Sequence, residues 1–130
     1  MRGRRSVTPE TGEHLARECL ARAKIILGAG VGEDAGRDAY LASFHAAQAL
    51  ILARSGKIVK THRGVHRLFS QLAKNEPVLR EFARFLSQAY NLKDIADYEL
   101  RPGATVPLDR ASAAIDTAER FIEHIAGILS

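Results

Sequence analysis

The sequence predicts an all-α fold, an up-and-down bundle of about five helices. Three observations carry that reading. Five segments place apolar side chains at steps of three and four, caps, prolines or glycines punctuate them, and no stretch alternates polar and apolar residues as a half-buried strand would. At 130 residues and 46% hydrophobic, the chain is long enough to bury one core without a metal or disulfide. Residues 1–8 read as a basic flexible arm and 9–130 as a single helical domain.

Thr8-Pro9-Glu10 is a helix start, with threonine as N-cap and proline at the first helical position, where its missing N–H costs nothing. Leu15, Cys19, Ala23, Ile26 and Leu27 then recur at helical spacing until Gly28 and Gly30. A second helix is expected from about Glu33 or Asp34, whose carboxylates suit the positive end of the dipole, to Ser55, with Gly56 as its C-terminal glycine. It is apolar nearly all round and should be central. Thr61 caps a third helix with Val65, Leu68, Phe69 and Leu72 as its apolar stripe and Arg63, Arg67 and Lys74 opposite. Asn75 breaks it. Pro77 opens a fourth, with Val78, Phe82, Phe85, Ala89, Leu92 and Ala96 in register, reaching at least Tyr98. The segment from Arg101 to Pro107 is the main turn, and Ala111, Ile115, Ala118, Ile122, Ile125 and Leu129 mark a fifth helix.

Composition narrows the function classes. Of the formal charge of +4, Arg2, Arg4 and Arg5 contribute three in the first five residues, so the body is nearly neutral. The distribution is more informative, because residues 39–75 contain no Asp or Glu yet hold Arg54, Lys57, Lys60, Arg63, Arg67 and Lys74. Cys19 lies among Leu15, Ala16, Leu20 and Ala23 and reads as a small core residue. The uncharged run 39–53 is shorter than the ~20 residues that span a bilayer. No apolar stretch follows the basic start, so a cytoplasmic protein without membrane contact is expected.

Arg37-Asp38-Ala39-Tyr40-Leu41-Ala42-Ser43-Phe44-His45-Ala46-Ala47-Gln48-Ala49-Leu50 resembles the second helix of HEPN proteins, with an aromatic, then a Phe-His pair, then small residues. The run from Lys60 to Phe69 resembles that family's third-helix opening, and Ile95-Ala96-Asp97-Tyr98 the end of its fourth. Together they cover nearly the whole chain from about residue 10. The resemblance implies a helical bundle that usually dimerises and is often made beside a small nucleotidyltransferase as half of a toxin and antitoxin pair; no cofactor is expected.

Many HEPN proteins are RNases whose site needs an arginine and a histidine separated by four to six residues near the end of the fourth helix. This sequence has no such pair. In the subgroup it most resembles, an arginine precedes Ala-Asp-Tyr; here Lys93 replaces the arginine. Lysine loses the planar fork that grips phosphate bidentately, and a tyrosine of ordinary pKa is a poor base at neutral pH. Metal-free cleavage needs a base for the 2′-hydroxyl and an acid for the leaving oxygen. From sequence, then, efficient RNA cleavage is not expected. Lys93 and Asp97 can pair at i, i+4, and with Tyr98 they are either an ordinary surface cluster or a remnant nucleotide or RNA site; Arg37 and Asp38 could point toward that site or simply solvate a helix end.

His45, within an apolar run, reads as a hydrogen-bonded core histidine. His62 and His66 have the spacing of a two-histidine metal site, but Arg63 and Arg67 would repel a cation, so they read as a basic, phosphate-facing helix start and no metal is expected. Arg37, Lys60, Arg63, Arg67 and Lys74 are the expected nucleotide- or RNA-binding residues, with the alternative of a merely solvated face. Three functions stay open: a binding module working with a nucleotidyltransferase, an RNase toxin with a departed site, and a structural dimer.

Overall fold

A computed structural model describes residues 7–97 and 105–130. Five helices follow in order: α1 Pro9–Gly28, α2 Gly32–Ser55, α3 His62–Leu72, α4 Pro77–Asp97 and α5 Leu108–Leu129. The expected starts and stops hold. The Thr8 hydroxyl accepts from the Thr11 N–H while the Thr11 hydroxyl accepts from the Thr8 N–H, a reciprocal cap. Thr61 caps α3 through the Gly64 N–H at 3.0 Å, and Gly56 ends α2 at φ 73°, a left-handed conformation that glycine adopts without strain. The first six residues of the expected arm, Tyr98, and the start of the turn from Arg101 lie outside the described residues.

α2 is the hub and packs on all four other helices. Alanines at 35, 39, 42, 46, 47 and 49 let those neighbours approach closely. Gly12 of α1 sits so near α2 that a Cβ there would lie 3.0 Å from the Ala49 Cβ. The entry to α5 is fastened to the start of α2, where the Val106 N–H donates to Glu33 Oε2 at 2.9 Å.

Two stripes hold in part: Cys19 and Ala23 on α1 and Phe82, Ala89 and Leu92 on α4 are buried as expected, while other positions shift. On α1 the buried residues are Ala16, Cys19, Leu20 and Ala23, and Leu15 is exposed. On α4 they are Leu79, Phe82, Leu86, Ala89 and Leu92; Val78 is exposed and Phe85 half-buried. Both helices carry two adjacent apolar rows, and the position of α2 decides which row is covered. α5 follows the expected register, with Phe121 added to it, fully buried. Cys19 is buried as expected, and burial pushes its thiol pKa up.

One physical argument for a dimer fails. A helix apolar nearly all round, as α2 is, could have left an apolar face for a second copy to cover, yet none of the exposed large apolar side chains among the described residues lies on it. Among those residues no helix is long and apolar enough to cross a membrane.

Candidate functional site

The start of α2, the start of α3 and the end of α4 meet around one buried phenol. Tyr40 is fully buried, and a buried tyrosine oxygen needs partners. It has two. Its Oη lies 2.8 Å from His62 Nδ1 and 2.9 Å from His66 Nε2, so both histidines stand one turn apart on the face of α3 turned toward α2. Tyr90 of α4 closes the group, its ring centroid 5.4 Å from those of Tyr40 and His62 and 5.6 Å from that of His66. Phe44, one turn beyond Tyr40, packs on His62 at 4.7 Å.

This arrangement corrects the reading of the two histidines. They are not simply turned to solvent at the helix start, because one nitrogen of each is engaged by Tyr40. Burial lowers both pKa values from the ordinary histidine value, with Lys93 adding to the effect on His62 and His62 adding to that on His66. Asp94 and Asp97 act the other way on His62 but weigh less. Burial also drives the Tyr40 pKa far upward, so its hydroxyl keeps its proton.

The outer ring nitrogens are open. Among the described residues no side-chain nitrogen or oxygen is both buried and without a hydrogen bond, and His62 Nε2 and His66 Nδ1 have no protein partner. Each ring therefore holds Tyr40 with one nitrogen and leaves the other without a protein partner, not fully sealed from solvent.

Beside this group lie three residues singled out in the sequence. Asp97 binds both Arg37, whose Nε donates at 2.9 Å, and Lys93. The Lys93 ammonium lies 5.8 Å from the centre of the Tyr90 ring, within cation–π range. The hydrogen bond from Lys93, reinforced by Arg37, holds the Asp97 carboxyl below the usual range, away from neutrality. Asp97 is thus an anchor for cations and a poor proton acceptor at neutral pH. Asp38 does not point here; it is buried and pairs with Arg22 at 3.3 Å. Tyr98 lies outside the described residues.

The other expected binding residues are elsewhere. Arg63 and Arg67 are exposed one turn apart on α3, each one residue after a histidine, with no carboxylate partner among the described residues. Lys74 lies past the end of α3, in the turn, and is also unpaired there. Lys60 stands at the rim of a separate apolar cavity of about 240 Å³ that His45, Leu52 and Ile58 help to line. His45 is hydrogen-bonded as expected, its Nδ1 2.8 Å from Gln48 Oε1, while the Gln48 amide donates to the Val59 carbonyl at 2.7 Å.

Sequence reasoning missed Tyr40 and Tyr90 as site residues. The partners of Tyr40 on α3 are 22 and 26 positions away, beyond any local pattern. A signal existed nonetheless: a tyrosine inside an otherwise apolar helix must find a polar partner, and two histidines at i and i+4 offered one.

The family model for the HEPN domain matches residues 14–128. A relative named "Putative toxin MJ0605", from Methanocaldococcus jannaschii, is 34% identical over 112 residues, which are 85% of this chain and 81% of the relative. The chain belongs to the HEPN domain family.

Proposed function

We propose that this chain is the HEPN member of a toxin and antitoxin pair, acting in the cytoplasm as a homodimer beside a small nucleotidyltransferase and binding the phosphates of nucleotide or RNA. The toxin role is supported by the name of the relative. The observation that carries the binding reading is the free cation row on α3. Arg22, Arg37, Lys93 and Arg54 each face a carboxylate, whereas Arg63 and Arg67, like Arg80 and Arg84 on α4, face none among the described residues. Exposed guanidiniums one turn apart suit successive phosphates, which they grip through paired N–H donors.

Phosphate contacts release counterions, so affinity for RNA falls steeply with salt. Titration of labelled RNA against the wild type and the Arg63→Ala, Arg67→Ala double variant tests this. The expected result is weaker binding by the variant, with the salt slope reduced by about 2. Equal affinity, or binding indifferent to salt, would show that this face is only solvated. The homodimer is tested by light scattering at micromolar concentration, where a mass of one chain would remove it from the account.

The end of α4 by itself does not supply the chemistry of the family's RNases. Lys93 is engaged by Asp97, and Asp97 is held ionised. A catalytic reading has to draw its acid and base from elsewhere.

A further inference from the structure

We propose that the apolar cavity between the start of α1, the second half of α2 and the connection to α3 binds one compact apolar molecule that carries a hydroxyl or N–H donor, with His45 Nε2 as the acceptor. The cavity is separate from the Tyr40 group and from the cation row on α3, and the inference does not rest on RNA binding.

The space is lined on α1 by Gly12 and on α2 by Ala49 and Leu52, and it measures about 240 Å³. Three further lining residues, Val7, Leu15 and Ile58, are among the seven large apolar side chains exposed among the described residues. Exposed apolar residues scattered singly over a surface mean little. Gathered around one concavity, they mark a place where a ligand is covered.

The polar chemistry of the cavity follows from a short relay. The Val59 carbonyl can only accept, so the end of Gln48 that lies 2.7 Å from it is the amide nitrogen. The Gln48 oxygen then faces His45 Nδ1 at 2.8 Å, and because that oxygen also only accepts, Nδ1 carries the proton. A neutral His45 therefore has a bare Nε2, and it has no protein partner among the described residues. The Thr8 and Thr11 hydroxyls, which also line the cavity, are engaged with each other in the α1 cap. Lys60 stands at the rim. What the cavity offers a ligand is thus apolar surface and one fixed acceptor, which rewards a hydroxyl or N–H and gives nothing to a molecule that has only acceptors.

Size narrows the ligand further. An apolar cavity of about 150 Å³ holds a benzene molecule, so this one takes a substituted ring or a fused pair of rings, about ten non-hydrogen atoms. A protein partner would place one side chain here, a small part of the ~800 Å² a side that a stable interface covers, whereas a molecule of this size is taken up almost whole.

The test uses the full chain with two probes, indole, whose N–H is the donor, and N-methylindole, which lacks it. The chain has no tryptophan, so indole emission reports binding directly. The expected result is saturable one-to-one binding of indole, with amide NMR shifts centred on Gly12, Ala49 and Ile58. His45→Phe keeps a ring and removes the acceptor; it should weaken indole by about fivefold, the weight of one hydrogen bond, and leave N-methylindole unchanged. Ile58→Ser, at an exposed position, should weaken both probes, and it keeps the test sound if His45→Phe, which deprives Gln48 of its donor, disturbs folding. No saturable binding of either probe at millimolar concentration, shifts centred elsewhere, or an equal loss for both probes in His45→Phe would overturn the proposal. So would binding that weakens as the protein is concentrated, because a second copy would then be covering the cavity.

Discussion

Two groups of rings occupy this bundle, and they are built for different ends. Phe69, Phe82 and Phe121 join α3, α4 and α5; their centroids lie 4.7 and 5.3 Å apart, their planes are within 29° of parallel, and all three are buried. Tyr40, Phe44, His62, His66 and Tyr90 join α2, α3 and α4 at tilted or edge-on angles, with hydrogen bonds fixing the centre and two ring nitrogens left without a protein partner. Non-directional burial holds the first group, whereas directed hydrogen bonds orient the second. Once the phenol is buried it needs hydrogen-bond partners, so the histidines serve the fold as well; what packing does not require is that each keep a second ring nitrogen without a protein partner. The polar group is therefore where function is sought.

The largest expected effect on stability is at the phenylalanine group. Phe121→Ala removes a fully buried ring and should cost about 3–5 kcal/mol, read by urea denaturation. The RNA affinity of the fraction that stays folded should not change. A loss below about 1 kcal/mol would show that this group is not the core it resembles.

Tyr40→Phe sharpens the contrast from the other side. The ring stays and only the hydroxyl is lost, so the cost should be about 1 kcal/mol, with water replacing the phenol at the half-exposed histidines. A cost as large as that of Phe121→Ala would make the polar group structural first.

The histidines also link stability to pH. Their folded pKa values lie below the unfolded value of about 6.5, so below that pH the unfolded chain binds more protons. The contribution of their neutral forms is complete above pH 6.5, falls as pH drops below it, and levels off below the folded pKa values. Replacing both with glutamine should flatten that part of the stability profile. An unchanged slope would mean that the rings titrate as they do in the unfolded chain.

The smallest expected effect on stability is at Arg63 and Arg67, exposed and unpaired among the described residues. Their double replacement by alanine should shift thermal stability by no more than about 0.5 kcal/mol per site while weakening RNA binding. A large destabilisation would assign them to the fold.

The caps, the glycine stops and the central place of α2 were legible because each depends on residues a few positions apart: Thr8 with Thr11, Thr61 with Gly64, Gly56 with its own φ. The registers of α1 and α4 were legible only in part, since Leu15 and Ala16, or Val78 and Leu79, offer equivalent rows until the neighbouring helix is placed. The pairing of Lys93 with Asp97 was readable at i, i+4, and Arg37 joined it as one of the two readings allowed. The phenol and its two histidines were hidden by sequence distance. The histidines were consequently read by their spacing and their arginine neighbours, as part of a charged surface, whereas the structure turns one nitrogen of each inward onto Tyr40 and burial lowers their pKa values.

The shared phenol is tested most directly by nitrogen NMR of the histidine rings across pH in the wild type and Tyr40→Phe. The account predicts that His62 and His66 are both neutral at pH 7 with mixed tautomers, titrate below about 6.5, and change together when the Tyr40 hydroxyl is removed. Two rings that titrate independently near 6.5, each indifferent to that substitution, would contradict it.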